Sequence, residues 1–443
     1  MKDYFMTFFQ KINEQYKNQT VFVFSILLIL LCIPLKYIFS SIATIGFVAV
    51  SLPYFFKNKP NLSFALLLPI ALFLLMVLSI SWSINTSDTI KGLQKQLPIL
   101  LFPLCFLFIS PLQTFHKSKI FQYYSYGMVG YSLYFIANAC FRYFQTKNSV
   151  VFFYHDLVSE DLNAIYFSVL VSFALFYFIS VAKSSVYQQT SIGILGVFIF
   201  LLSSKSVLTI DIILVVCFYA FFSKTKKSVR WLTISVVFVF LGLSLVFVKK
   251  VKERFLVEYE TAFIDNTVNQ TIGKASEKVY NVSLSQAWNL KRFEQNHYFP
   301  GTALRVYQLR IFIEMLNEQK ILFTGFGLES SQQKIAEKAK EHHLYSGYSI
   351  FNYHNQYLQT FSDLGIFGFL ILILMTFVNL KNAFQNKNFI HLVFAITMLF
   401  LFFTESLFCR QRGILFFITL YCVFNSSNET ERKNTLLTNL QPT

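Results

Sequence analysis

The sequence predicts an all-α polytopic membrane protein, and three observations carry that reading. Hydrophobic residues make up 55% of the 443 and charged residues only 14%, with a mean hydropathy of +0.51, which leaves too little polar surface to cover a soluble core of this size. The apolar runs have the length a helix needs to cross a hydrocarbon layer, roughly 20 residues at about 1.5 Å each, and none shows the period-two alternation of a membrane barrel. Only one connection is long and hydrophilic: residues 249–354, late in the chain.

The elements follow in order. Residues 1–248 form an N-terminal bundle of about nine spans, at 21–37, 39–56, 63–82, 96–112, 121–141, 162–182, 189–203, 206–222 and 231–248. The first follows a tail bearing Lys2, Lys11 and Lys17 and ends in Pro34, Leu35 and Lys36 without a small-residue cleavage site, so it reads as a retained anchor and not a signal peptide. The weakest signals are 96–112 and the pair 189–203 and 206–222, which share almost no loop. After the long connection come about three more spans, 358–380, 389–404 and 411–425, within a segment 355–425, and then a tail, 426–443. The total is about twelve.

Lys and Arg in alternate short loops set the orientation. One side carries Lys57, Lys59, Lys117, Lys119, Lys183, Lys224, Lys226, Lys227, Arg230, Lys381 and Lys387 with no acidic residue among them, so it faces the cytoplasm, with both termini. The other side mixes Lys36, Lys91, Lys95, Arg142, Lys147, Lys205, Arg410 and Arg412 with Asp88, Asp156, Glu160, Asp161 and Glu405, and the long connection lies there. A formal net charge of +16 scattered over loops on both faces forms no basic stripe interleaved with aromatics, which argues against nucleic acid and for anionic lipids and lipid phosphates. The six cysteines, Cys32, Cys105, Cys140, Cys217, Cys409 and Cys422, lie in or beside apolar runs and read as small core residues, not disulfides or metal ligands.

Within the long connection, Ala303 to Lys320 has helical spacing, with Leu304, Leu309, Phe312, Ile313 and Leu316 on one face and Arg310 and Glu314 as an i,i+4 pair on another. Gly325-Phe326-Gly327 breaks the chain, and Ser330 to Lys340 is a second, polar helix. With no Pro-rich or Gly/Ser-rich linker, the connection is expected to cap the membrane bundle.

Candidate chemistry gathers on the outer face. His354-Asn355-Gln356-Tyr357 stands where the polar segment enters an apolar run, followed by Gly365 and Gly368, and an imidazole kept at a membrane boundary is a functional candidate. Arg305 and Arg310 lie on the loop helix, Lys205 between two apolar helices, and Glu405 with Arg410 and Arg412 in the last outer turn. Such cations suit a pyrophosphate, because Arg offers a planar fork and Lys a point charge. Each also has an ordinary reading: Arg410 and Arg412 snorkelling to headgroups, Lys205 capping a helix, Arg310 pairing with Glu314, His354 as an interfacial residue. His155, Asp156, Glu160 and Asp161 form either an acceptor-binding cluster or a solvated turn. There is no DxD pair, no metal-ligand spacing, no Walker glycine loop and no GxSxG elbow, so no metal and no cofactor are expected.

A dozen spans, one large late outer loop, Arg305 opening a loop helix, Gly325-Phe326-Gly327, and His354-Asn355 with Tyr357-Leu358, Gly365 and Gly368 together resemble the O-antigen ligase and O-antigen polymerase superfamily. The motif-bearing part runs from Arg305 through the last outer turn. The resemblance implies a membrane glycosyltransferase of the C-type architecture, metal-independent and inverting, in the bacterial inner membrane with its large loop periplasmic. It would move a glycan from undecaprenyl pyrophosphate to lipid A–core oligosaccharide. His354 matches the loop-exit histidine that activates or orients the acceptor, and Arg305 the loop arginine that contacts pyrophosphate. Asn355, Tyr357, Arg310, Arg410, Arg412 and Glu405 are expected to line the donor or acceptor site. Where the family often has Arg after a Ser-containing helix end, Ser203-Ser204-Lys205 offers Lys, without the bidentate fork. The alternatives are a polymerase of O-antigen or exopolysaccharide, a protein O-oligosaccharyltransferase, a polysaccharide transporter, and a non-catalytic assembly protein. A transporter needs polar groups near the membrane midplane, whereas here they gather at the interface.

Overall fold

The computed structural model describes residues 19–158, 162–181, 185–223, 259–269 and 278–426, together with a few positions between 226 and 272. The tail lysines Lys2, Lys11 and Lys17, Lys183, Lys224, Lys227, Glu160, Asp161, the start of the loop at Lys249, most of the expected span 231–248 and nearly all of the terminal tail lie outside the described residues.

Fifteen helices are described: α1 Thr20–Cys32, α2 Tyr37–Lys57, α3 Phe64–Leu78, α4 Thr86–Gln96, α5 Pro98–Phe108, α6 Thr114–Thr146, α7 Ala164–Ser180, α8 Val186–Leu202, α9 Lys205–Cys217, α10 Leu284–Asn289, α11 Gly301–Glu318, α12 Ser331–Glu341, α13 Gln356–Gln385, α14 Phe389–Thr404 and α15 Gln411–Asn425. Among the described residues four helical stretches, Tyr37–Lys57, Phe64–Ser81, Lys205–Phe222 and Gln356–Gln385, are long and apolar enough to cross a membrane; α1, α7, α8 and α14 are shorter apolar helices. The expected span 96–112 is divided between α4 and α5, and the 11 residues of α5 reach only about 16 Å, too short to cross alone. Pro98 at the first turn of α5 cannot donate a backbone hydrogen bond, which favours a helix start there. The expected span 121–141 lies inside the 33-residue α6. The chain is not purely helical either: Thr267–Val268, Tyr280–Asn281 and His297–Tyr298 form a small sheet, the first pair antiparallel and the second parallel.

The bundle packs through aromatic rings. Phe22 meets Phe47 and Phe106 at centroid distances of 5.3 and 5.2 Å, and Phe394 meets Phe417 and Phe424 at 5.9 and 5.7 Å. In lipid, association rests on such packing more than on water exclusion, and aromatic pairs add roughly 0.5–1.5 kcal/mol each.

The long connection has its own core, including Phe293, Phe299, Tyr307, Ile311, Met315, Ile335 and Tyr353. The face α11 buries is Ala303, Tyr307, Gln308, Ile311, Phe312 and Met315, whereas Leu309 and Ile313 are exposed. The expected stripe is therefore rotated, because residues 303, 307, 311 and 315 hold the i,i+4 row that faces Phe293 and His342.

What fastens this cap to the bundle is a backbone clamp. Phe326 and Gly327 N–H donate to the carbonyls of Ser362 and Asp363 (2.8 and 2.9 Å), and Ile366 N–H donates to Leu322 O (2.8 Å). The clamp needs α13 to break, and it does so at Gly365 (φ 68°, ψ −164°). A Cβ on Gly365 would sit 2.2 Å from Phe323 O, and one on Gly325 (φ 65°) would sit 2.5 Å from the Asp363 backbone. Both positions demand left-handed backbone and a near approach that only glycine allows. Trp82 Nε1 donates to Thr324 O (2.7 Å) and Ile84 N–H to Phe326 O (3.0 Å), so the same turn is held from the connection between α3 and α4 as well.

Candidate active site

Three of the sequence candidates converge. At the C-terminus of α14 the chain turns extended at Glu405, which presents a buried carboxylate between the loop helix and the entrance to α13. Glu405 Oε1 accepts from Arg305 Nη2 at 3.3 Å, and Oε2 lies 3.7 Å from His354 Nδ1. The carboxylate side chain is 8% exposed and the imidazole 28%. A charge at that depth persists only when paired. At 3.7 Å the His–Glu contact is electrostatic or bridged, since a direct hydrogen bond is shorter.

His354 adopts φ 45°, a left-handed conformation unusual outside glycine and enriched at functional sites. Its N–H donates to Asn352 Oδ1 (3.0 Å). Asn355 works for the backbone: its side chain accepts from Leu358 N–H as the α13 cap, and its own N–H donates to Ser406 Oγ. Ser406 is thus tied to the residue after His354, and the turn carrying Glu405 is docked on the turn carrying His354.

Arg305 is more firmly held than a free phosphate fork would be. Its Nε and Nη2 donate to Thr404 O (3.2 and 2.9 Å), Nη1 to Gly301 O (3.1 Å), and Nη2 also to Glu405. Four of the five guanidinium N–H groups are engaged in these bonds, and one remains.

A cavity of about 240 Å³ is lined by Tyr37, His155, Asn163, Tyr166, Arg410 and Arg412 with Leu162. Tyr166 lies within electrostatic reach of both Glu405 and Arg410, which links the cavity to the cluster. The cavity also opens on the N-terminus of α7, where Asn163 caps Ile165 N–H and Ala164 N–H meets His155 Nδ1. Helix N-termini and guanidinium groups both favour an anion. Arg410 is exposed. Arg412 does not snorkel to headgroups: it is buried, donates to Ile33 O and Leu35 O (3.1 and 2.9 Å), and stacks 4.5 Å from the Tyr37 ring.

Beside the same turn runs a larger apolar groove of about 520 Å³ between α2 and α5, with Lys95 and Gln411 among its lining residues. Gln411 donates to Ser41 Oγ (2.9 Å). Arg410 and Arg412 line the cationic cavity while Gln411 lines the groove, and Tyr37 and Ser41, one helical turn apart on α2, divide in the same way. Groove and cavity therefore adjoin.

The structure does not bring every candidate here. Arg310 pairs with Glu314 (2.7 Å) and donates to Leu290 O (2.6 Å), which uses its fork inside the loop. Tyr357 is buried, with its hydroxyl on Leu399 O and its ring 4.8 Å from Phe403, so it locks α13 to α14 instead of facing a substrate. Lys205 opens α9 after the left-handed Ser203 (φ 48°), on a different element from the cluster. Tyr37 and Tyr166 carry no motif of their own in the sequence, Lys95 appears there only as one outer-face charge, and His155 belongs to the candidate acceptor cluster or solvated turn.

Among the described residues no group of three or more His, Cys, Asp or Glu side chains converges as for a metal. Residues 190–373 match the O-antigen ligase family model, a segment that contains Arg305 and His354 and stops before Glu405. The match supports membership of the O-antigen ligase superfamily. Together with the apolar helices, this likeness over residues 190–373 points to a membrane protein. No curated protein matches the chain.

Proposed function

We infer that the protein transfers a glycan from undecaprenyl pyrophosphate to lipid A–core oligosaccharide at the periplasmic face of the inner membrane, without a metal and with inversion. The observation that carries this reading is the contact of Glu405 with both His354 and Arg305 beside an arginine-lined cavity and an open apolar groove.

In the reaction an acceptor hydroxyl attacks the anomeric carbon, the bond from that carbon to the phosphate oxygen breaks, and the pyrophosphate leaves with the electron pair. His354, with Nδ1 turned to Glu405, takes the hydroxyl proton on Nε2, and the carboxylate stabilises the imidazolium that forms. Arg410 and the α7 N-terminus meet the pyrophosphate in the cavity, with Arg412 fixing the wall behind them, and stabilise charge that grows in the transition state. Arg305, with most of its donors committed to Gly301, Thr404 and Glu405, positions the carboxylate and offers at most one N–H to the donor. The groove between α2 and α5 suits the polyprenyl tail.

Deletion of the gene tests the acceptor. Loss of a ligase leaves bare lipid A–core on electrophoresis while full-length polymer accumulates on the polyprenyl carrier. A core capped by a single repeat unit would instead make the protein a polymerase.

A further inference from the structure

Behind the turn that carries Glu405 lies a second polar site that the glycan chemistry does not use. A small cavity of about 10 Å³ has among its lining residues Gln96 of α4, Glu329 of the loop, Gln359 and Asp363 of α13, and Phe408 and Cys409 of the last outer turn. That volume is about one water-sized sphere. Three buried acceptor oxygens on its lining residues have no hydrogen-bond partner: Gln96 Oε1, Gln359 Oε1 and Asp363 Oδ1, on side chains 2%, 5% and 4% exposed.

The amides cannot be turned to remove the problem. Gln96 Nε2 donates to Phe408 O (2.8 Å), and Gln359 Nε2 donates to Ser331 Oγ (3.0 Å) and Asp363 Oδ2 (3.1 Å). Flipping either would set an amide oxygen against a carbonyl or a carboxylate. Three residues lining a space for one particle thus each carry an orphaned acceptor, and each such oxygen costs about 1–3 kcal/mol if left unmet. One water has two hydrogens for three acceptors. A cation satisfies all three.

The charges agree. Glu329 is balanced by Lys95, whose Nζ also donates to Cys409 O (3.2 Å). Asp363 has no basic partner among the salt bridges of the described residues, and its carboxyl group is met only by neutral donors, the Gln359 amide at Oδ2, the Ser331 hydroxyl and the Glu329 backbone. One uncompensated carboxylate with amide oxygens around it calls for a hard, singly charged ion.

We propose that this cavity binds one alkali cation of sodium size between α4, the 325–329 turn, α13 and the Leu407–Cys409 turn. Because Gln356 Oε1 accepts from Phe408 N–H (2.7 Å) and Lys95 from the same cluster reaches Cys409, the ion braces the turn that holds Glu405 and Arg410. It takes no part in proton transfer.

The test is thermal unfolding of the purified full-length protein in detergent at constant ionic strength, replacing choline chloride by NaCl. The expected result is a saturable rise of several degrees in the midpoint with Na⁺, absent in Asp363→Asn. Equal midpoints in the two salts, or the same sodium-dependent rise in Asp363→Asn, would overturn the site and leave a protonated Asp363 or a water in its place. Should Asp363→Asn fail to fold, ²³Na relaxation on the unaltered protein decides: excess broadening that competing Li⁺ or K⁺ reverses supports the site, and its absence overturns it.

Discussion

Glu405→Gln separates the carboxylate's charge from its shape. Glutamine keeps an oxygen for Arg305 and fits the same space, so the Arg305–Thr404 bonds and the fold should survive, while the stabilisation of a protonated His354 disappears. Two unit charges at 3.7 Å attract by about 4 kcal/mol at a near-surface effective dielectric. His354 is partly open to solvent, and screening reduces this to roughly 2–3 kcal/mol. At about 1.4 kcal/mol per decade, kcat should fall on the order of 10²-fold. The assay is transfer from a purified lipid-linked glycan in detergent, with kcat and KM resolved separately. A loss confined to kcat, with donor affinity and melting temperature held, is the expected result. A Glu405→Gln protein turning over within threefold of the parent would refute the claim that the carboxylate supports the base.

Other perturbations follow the same geometry. Arg410→Ala should raise KM for the lipid-linked donor about tenfold or more without changing the melting temperature, because Arg410 is exposed; Arg412→Ala should instead lower stability by roughly 2–4 kcal/mol, since it strips the donors from Ile33 and Leu35. Gly325→Ala forces φ 65° on a residue with a Cβ 2.5 Å from the Asp363 backbone, so loss of folded protein by at least about 2 kcal/mol is expected in chemical denaturation; parent-like stability would show that the clamp is dispensable. Burial lowers the pKa of His342 in the loop, against the opposing pull of Glu314. The unfolded chain therefore takes that proton first, so the loop should lose stability as pH falls through about 6.5 toward the lower folded value. In His342→Gln that part of the pH dependence, read by limited proteolysis, should vanish.

Much of the architecture was legible because apolar length and helical spacing are local signals. The loop helices fell within a few residues of expectation, and Gly325 stood out as a chain break, whereas Gly365, a motif glycine inside the expected span 358–380, gave no sign of the break it makes. What could not be read was which break meets which. The clamp joins residues about 40 apart, and Glu405 reaches His354 across 51 positions and Arg305 across 100. Arg305 illustrates the limit most clearly: its residue type suggested a phosphate fork, yet the carbonyls of Gly301 and Thr404 claim most of its donors. Tyr357 illustrates the converse, an aromatic in a functional-looking motif whose hydroxyl is consumed by a neighbouring helix. The cationic cavity depends on Tyr37, His155 and Arg410 arriving from three distant segments, and no local pattern marks that meeting.

The central claim is that His354 accepts the proton of the acceptor hydroxyl in a metal-free transfer. The most direct measurement is a reconstituted reaction of purified protein, polyprenyl-pyrophosphate-linked glycan and lipid A–core in excess chelator, run for the parent and for His354→Ala, with donor binding followed in parallel. The account predicts product from the parent in chelator, loss of transfer by 10²-fold or more in His354→Ala, and donor affinity unchanged between the two. Transfer by His354→Ala at the parent rate, or a strict requirement for Mg²⁺ or Mn²⁺ in the parent, would contradict it.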